Sequence, residues 1–217
     1  MGTSPILIVY GSSYGQTAKI ARRIAERLQG RQLEVELVDA RSAGPTLSPD
    51  DYAGVVVGSS LIVRGVQPAV RQFIKRNVAT LNRGFSAYFQ VSASAGSVDR
   101  SGREAAVKVL DGFLEQSGWT PKLKASIAGA VNYTQYGFLL RWYMKRASSR
   151  HGGATDTSRD HEYTDWVQVD RFANDVAERV AILKLGARDG GGGKESDTSH
   201  SQSGRIAEYS VLGARTG

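Results

Sequence analysis

Residues 5–10 (PILIVY) form an unbroken apolar, β-branched run, which predicts a buried strand. From Thr17 to Leu28 the spacing changes. Ile20, Ile24 and Leu28 recur every fourth residue with Ala21 and Ala25 beside them, while Lys19, Arg22, Arg23 and Arg27 lie off that stripe. One apolar face of a helix has this form. Leu33–Val38 (LEVELV) alternates apolar and acidic residues and predicts a second strand. Tyr52–Gly58 (YAGVVVG) predicts a third. Val66–Leu81 predicts a helix with Val70, Phe73, Ile74 and Val78 inward. A fourth strand follows at Phe85–Val91, then a helix at Arg103–Glu115 with Val107, Leu110 and Leu114 on one side. Ser126–Val131 (SIAGAV) predicts a fifth strand. A closing helix at Asp165–Leu183 carries Val169, Phe172, Val176 and Val180 at helical spacing.

Five short strands alternating with helices predict an α/β fold, a doubly wound parallel sheet with helices on both faces. In such sheets ligands gather at the carboxyl ends of the strands. Two segments break the alternation. The 33 residues from Asn132 to Thr164 are too long for a plain connection and read as an insertion after strand five (about 132–164). From Gly186 the chain turns Gly/Ser-rich and polar. Residues 1–185 are therefore expected to form one domain, and 186–217 a disordered tail.

Where strand one gives way to helix one the sequence reads Gly11-Ser12-Ser13-Tyr14-Gly15-Gln16-Thr17. The first backbone N–H groups of a helix have no intrahelical partner, and the helix dipole adds positive potential there. Hydroxyls supply further donors, and Gly15 lets the backbone approach an anion. The loop is neither G-x-x-x-x-G-K-[ST] nor G-x-G-x-x-G, so a P-loop NTPase and a dinucleotide fingerprint are both excluded. An anion held by neutral hydroxyls and amides points to a monophosphate, as in FMN. The plainer alternative is that Ser12 or Ser13 only caps the helix. Two more small-residue loops end strands three and four: Ser59-Ser60-Leu61-Ile62-Val63-Arg64-Gly65 and Ser92-Ala93-Ser94-Ala95. A flat ring fits between them. A phospho-acceptor regulator shares this architecture but needs acids after strands one and three, where this chain has Tyr10-Gly11 and Gly58.

Composition removes several classes. The 217 residues contain no cysteine, so disulfides, thiolate metal sites and a cysteine nucleophile are excluded. His151, His161 and His200 lie far apart, and no metal site is expected. The start (MGTSPILIVYG) lacks a signal-peptide pattern, and no apolar window reaches the roughly 20 residues of a membrane span. A cytoplasmic protein is expected. The net charge of +7 and pI of about 9.7 favour anionic partners. Between Asp51 and Asp99 there is no acid, but there are Arg64, Arg71, Lys75, Arg76 and Arg83; Arg141, Lys145, Arg146 and Arg150 form a second basic block. The bases are not interleaved with aromatics as single-strand binding requires, and no nucleic-acid partner is expected.

The Ser12–Thr17 loop resembles the FMN phosphate loop of the flavodoxin-like family. Three stretches narrow the resemblance: LIVRG at 61–65, SIAGAVNYTQYGFLLRWYMK at 126–145 and HGGATDTSRDHEYTDW at 151–166. Together they are similar to the menaquinone-dependent protoporphyrinogen IX dehydrogenases, over about residues 5–183. The resemblance implies FMN as cofactor, protoporphyrinogen IX as substrate and menaquinone as acceptor, in haem biosynthesis. It implies Ser12, Gly15 and Thr17 as phosphate contacts within the loop Ser12–Thr17, and the loops Ser59–Gly65 and Ser92–Ala95 as walls of the isoalloxazine site. It requires no acid–base residue, since the flavin carries the redox chemistry, so no catalytic residue is assigned.

The excess of positive charge departs from acidic electron-carrier flavodoxins and suits both propionates and anionic bilayer surfaces. Arg64 is a candidate for a propionate or phosphate contact, or a solvated surface arginine. Residues 137–150 (GFLLRWYMKRASSR) predict a basic amphipathic helix with Leu139, Leu140, Tyr143, Met144 and Ala147 on one face. It fits a peripheral contact on the inner face of the cell membrane, a lid, an oligomer contact, or a core helix. Thr164 or Asp165 is expected to cap the last helix, and Thr155 and Asp156 to brace either the flavin loops or the insertion. Rival readings are a flavodoxin-type electron carrier and a flavin-dependent quinone reductase.

Overall fold

The computed structural model describes residues 4–62, 65–131, 158, 161–189 and 207–209. The strand β1 (Ile6–Gly11) leads into α1 (Gln16–Gln29), then β2 (Val35–Asp39) and β3 (Gly54–Ile62). A two-residue strand β4 (Gly65–Val66) precedes α2 (Pro68–Arg83), β5 (Ser86–Ser92), α3 (Arg100–Ser117) and β6 (Leu123–Ala128). The short strands β7 (Ala130–Val131) and β8 (His161–Glu162) flank the insertion. They are followed by α4 (Trp166–Asp189) and β9 (Ala207–Tyr209).

The sheet runs β2-β1-β3-β5-β6-β9, all parallel, with β4 folded back antiparallel on β3. Its central strands are apolar because both faces are covered. Val55, Val56 and Val57 are each 3% exposed or less. On one face Ile20, Ile24 and Leu28 of α1 and Val169, Phe172 and Val176 of α4 pack over β1, β3 and β5. On the other, Val70, Phe73 and Ile74 of α2 and Leu110 and Leu114 of α3 close over Leu7, Val9, Val57 and Tyr88. Register across the sheet fixes the roots of the loops: Gly11 lies beside Ser59, Ser60 beside Val91, and Ser92 beside Ala128.

The five predicted strands are present, as are the four helices predicted outside residues 137–150, with three differences. First, β3 does not stop at Gly58 but runs on to Ile62. It lies between β1 and β5, whose ladders hold it to Ser59 and Ser60, and β4 then pairs Leu61 with Val66 and Ile62 with Gly65. Gly65, at φ 89°, supplies the left-handed backbone this turn-back needs. Second, the fifth predicted strand divides. β6 begins at Leu123, and the chain breaks at Gly129 before β7 pairs with β8. Third, the expected tail is not wholly outside the fold. The helix α4 continues to Asp189, and Ala207–Tyr209 add a parallel strand beside Leu123–Ala125. Without this strand the edge of β6 would present unpaired backbone groups, which attract a further strand. The basic helix expected over 137–150, with Thr155, Asp156 and Arg64, lies outside the described residues.

Candidate functional site

The site sits where the chain direction diverges. From β1 the chain goes to β2 on one side, and from β3 to β5 on the other, so a crevice opens between the carboxyl ends of β1 and β3. Its first wall is the turn Ser12–Gly15. Ser12 Oγ accepts a hydrogen bond from Gly15 N at 3.0 Å, which pins the turn. Gly15 is the N-cap of α1 at φ 87°, and a Cβ there would meet nothing within 4 Å. Glycine is therefore required by backbone conformation, with open space on its outer side. The cap has no side chain to satisfy the first amides, and the first turn of α1 contains no acid. The positive end of α1 is left for an outside anion.

The expected contacts divide on inspection. Ser13 is exposed and Ser12 and Tyr14 are half-buried, all three facing an open cleft of about 220 Å³. Gln16 points elsewhere: its Nε2 donates to Thr164 Oγ1 at 2.8 Å, and Thr164 Oγ1 donates to the carbonyl of Ala128 at 2.9 Å. Thr17 is 1% exposed, packed in the first turn of α1.

The second wall is the end of β3 with the start of α2. Ser59 is fully buried; its Oγ donates to the carbonyl of Ser60 at 3.0 Å and accepts from Gln67 N at 3.2 Å. Ser60 and Leu61 are half-buried along the crevice. The Gln67 amide, just before Pro68 at the start of α2, reaches two loops at once. Its Nε2 donates to Ser60 Oγ at 2.9 Å and to Ser13 Oγ. Gly11 permits this approach. A Cβ there would lie 2.9 Å from Gln67 Cβ and 2.7 Å from Val70 Cγ2.

The third wall is the end of β5. Ser92 Oγ accepts from Ala95 N at 3.2 Å and lies 3.2 Å from Ser94 Oγ, while Ala93 and Ser94 face outward. A 3-10 turn follows at Ser94–Gly96. The segment returning from the insertion packs against it. Tyr163 N donates to Gly129 O at 3.0 Å, and a Cβ on Gly96 would lie 3.0 Å from Tyr163 Cβ. Asp165 then caps α4, its Oδ1 accepting from Val167 N at 2.9 Å and Gln168 N at 3.2 Å.

Three features of this site were not expected from the sequence. Arg41 lines the cleft beside Ser12–Tyr14, held by Asp39 through Nε–Oδ1 at 3.0 Å and Nη2–Oδ2 at 2.6 Å. That guanidinium keeps the Asp39 carboxyl below its ordinary range. Asp39 ends β2 and Arg41 follows two residues later, a spacing that signals a local pair but not its place beside Ser12. Gln67 had a signal: it precedes a proline that opens a helix, so it stands at a helix mouth. The Gln16–Thr164 link spans 148 positions and leaves no local mark.

These residues fit a flavin mononucleotide. An uncapped helix start and the hydroxyls of Ser12 and Ser13 suit a phosphate. The ends of β3 and β5 lie side by side, Ser60 beside Val91, on the same edge of the sheet as the turn Ser12–Gly15.

The flavodoxin domain family matches residues 7–158. A protein of Leishmania major described as "Protoporphyrinogen IX dehydrogenase [quinone]" is 31% identical over 172 residues, 79% of this chain and 74% of that one. The protein of the same description from Escherichia coli K12 is also 31% identical over 172 residues, covering 79% of this chain and 93% of its own length. Among solved structures, the flavodiiron core Flv1 of Synechocystis superposes with a TM-score of 0.52 at 13% identity, over 83% of this chain and 37% of that one. That likeness concerns the fold alone.

Proposed function

The chain belongs to the flavodoxin domain family and is an FMN-binding oxidoreductase, and from that premise we propose that it oxidises protoporphyrinogen IX to protoporphyrin IX with a quinone as acceptor. One observation of the structure supports this reading beyond the names of the relatives. The insertion leaves the sheet through β7 and returns through β8, and its return strand leads into Tyr163, which packs on the third wall. A substantial segment is thus rooted beside the ring slot, where a substrate as large as a porphyrinogen needs a covering element. An electron carrier needs an open flavin edge instead.

The division of labour follows from the walls. Bound FMN would take electrons from the reduced macrocycle and hand them to the quinone. The start of α1, with the hydroxyls of Ser12 and Ser13, holds the phosphate. Ser60 and Leu61 on one side, and Ala93 and Ser94 on the other, hold the ring. Each oxidation removes an electron pair and two protons from the macrocycle and reduces one quinone to quinol. Basic residues meet the propionates and the anionic surface of a quinone-bearing membrane, and residues 137–150 are the segment assigned to that peripheral contact. Among the described residues no helix is long and apolar enough to cross a membrane.

The test is an anaerobic assay of the FMN-loaded protein with protoporphyrinogen IX, following porphyrin fluorescence with and without a menaquinone analogue. Quinone-dependent porphyrin formation above the uncatalysed background is the expected result. No turnover by a holoprotein whose flavin is still reduced by other donors would overturn the substrate and favour a carrier.

A further inference from the structure

Gln67 has no place in the sequence pattern of the cofactor loops, yet its side chain touches two of them. Its amide nitrogen carries two N–H donors. One is used on Ser13 Oγ, in the turn before α1, and the other on Ser60 Oγ, at the end of β3, at 2.9 Å. Its own backbone N–H is fixed to the fully buried Ser59 Oγ at 3.2 Å, so the side chain departs from a firm base. Gly11 leaves the space through which it passes.

A hydroxyl has one proton to donate and two lone pairs to accept with. When Gln67 Nε2 occupies an acceptor position on Ser13 Oγ and on Ser60 Oγ, each serine keeps its own proton for another partner. Both hydroxyls are thereby oriented as donors toward the crevice. The same amide also sets the spacing between the phosphate turn and the ring wall. An anion that orders Ser13 orders Ser60 through it.

We infer that Gln67 is a positioning residue that presents Ser13 and Ser60 as donors to the cofactor and couples phosphate occupancy to ring binding. It acts through the two serines. The inference rests on FMN binding and is independent of the porphyrinogen reading, so its test uses no porphyrin.

Riboflavin and inorganic phosphate separate the two halves of the cofactor. Apoprotein is titrated with riboflavin with and without saturating phosphate, and separately with FMN, by flavin fluorescence quenching. With the unaltered protein, phosphate is expected to tighten riboflavin binding several-fold, in the range of about 5-fold or more that site coupling commonly reaches. In Gln67→Met, which keeps length and loses the donors, that enhancement falls to roughly 1-fold and the FMN Kd rises roughly tenfold. In Gln67→Glu the polarity inverts: the carboxylate accepts from both serines, turning their protons away and adding a charge beside the phosphate. Its FMN Kd rises further than that of Gln67→Met, while its riboflavin Kd without phosphate stays close to that of Gln67→Met.

An equal phosphate enhancement in the parent and in Gln67→Met overturns the coupling, as does no enhancement in the parent. Equal losses for FMN and riboflavin in both variants would mean a merely structural role. Should Gln67→Met fail to fold, Ser60→Ala gives the same decision. It removes the other end of the bridge without touching the phosphate turn, and it must abolish the enhancement.

Discussion

Replacing Ser12 with Asp separates an anion site from a helix cap, because the two readings predict opposite outcomes. Ser12 Oγ lies 3.0 Å from Gly15 N and accepts its proton. A carboxylate oxygen takes over that bond, so the turn keeps its shape. Negative charge beside the start of α1 also stabilises a helix by about 0.3–1 kcal/mol. No acid stands in that first turn now. Without flavin, Ser12→Asp is expected to melt at the same temperature as the parent or slightly higher.

With FMN the sign reverses. The phosphate monoester carries a charge of about −1.5 to −2. For a phosphate bound by the amides of the same turn, a separation of about 4 Å from the new carboxylate serves as the reference distance. A pair of unit charges at that distance interacts with about 1 kcal/mol in water and about 4 kcal/mol at the effective dielectric of a protein surface. The half-exposed turn argues for the smaller figure, which a nearly doubly charged phosphate raises to about 2 kcal/mol. That is an increase of roughly 30-fold in Kd as a lower bound. Raising salt from low to molar concentration should recover part of the loss by screening. The assay is fluorescence titration of apoprotein with FMN, beside a thermal melt without flavin. An FMN Kd within about threefold of the parent would refute the phosphate assignment. A destabilised apoprotein would mean instead that the loop was broken.

Other expectations follow from the packing. Asp170 on α4 is gripped by Arg23 and Arg27 of α1, which hold its carboxyl far below the ordinary range. A carboxyl depressed on folding adds stability above its unfolded pKa of about 3.9. That stability is lost as pH falls toward the folded value. Asp170→Asn should therefore lower the denaturation midpoint at pH 7 and flatten its fall below about pH 4; unchanged acid behaviour would discount the pair. Tyr88 is fully buried with no hydrogen-bond partner for its hydroxyl among the described residues, and burial raises its pKa far above the ordinary value. Tyr88→Phe should raise stability by about 1 kcal/mol, read as a higher denaturant midpoint at unchanged slope. Gly11→Ala places a Cβ 2.7 Å from Val70 and 2.9 Å from Gln67. It should cost about 1–3 kcal/mol and weaken FMN binding, and retention of full flavin content after purification would count against the close approach.

The elements legible in the sequence were those that periodicity controls. Ile20, Ile24 and Leu28 mark the buried face of α1, and Val169, Phe172 and Val176 that of α4, because a helix packed on a sheet must repeat its apolar contacts at helical spacing. The turn Ser12–Gly15 was legible as a loop at the carboxyl edge, since that edge follows from a parallel sheet, whereas Ser59, Ser60 and Ser92 belong to β3 and β5. The limits of β3 were not. A strand ends where its neighbours stop pairing, and the register with Gly11 and Val91 appears nowhere in the local composition of Gly58-Ser59-Ser60. The inward turn of Gln16 was hidden for a similar reason. Its partner Thr164 arrives after the whole sheet has been built.

The positions that sequence reasoning missed share a physical task. Sheet register fixes the roots of the three walls, but their tips are short turns of small residues with few contacts of their own. Gln67 ties the first tip to the second through Ser13 and Ser60. Thr164 ties the start of α1 to the end of β6 through Gln16 and Ala128, and Lys19 and Glu162 repeat that connection at 3.8 Å. Thr164 and Glu162 belong to the chain returning from the insertion. The chain returning from the insertion is thus tied to the first turns of α1 and to the turn after β5. Any displacement of its base acts on both.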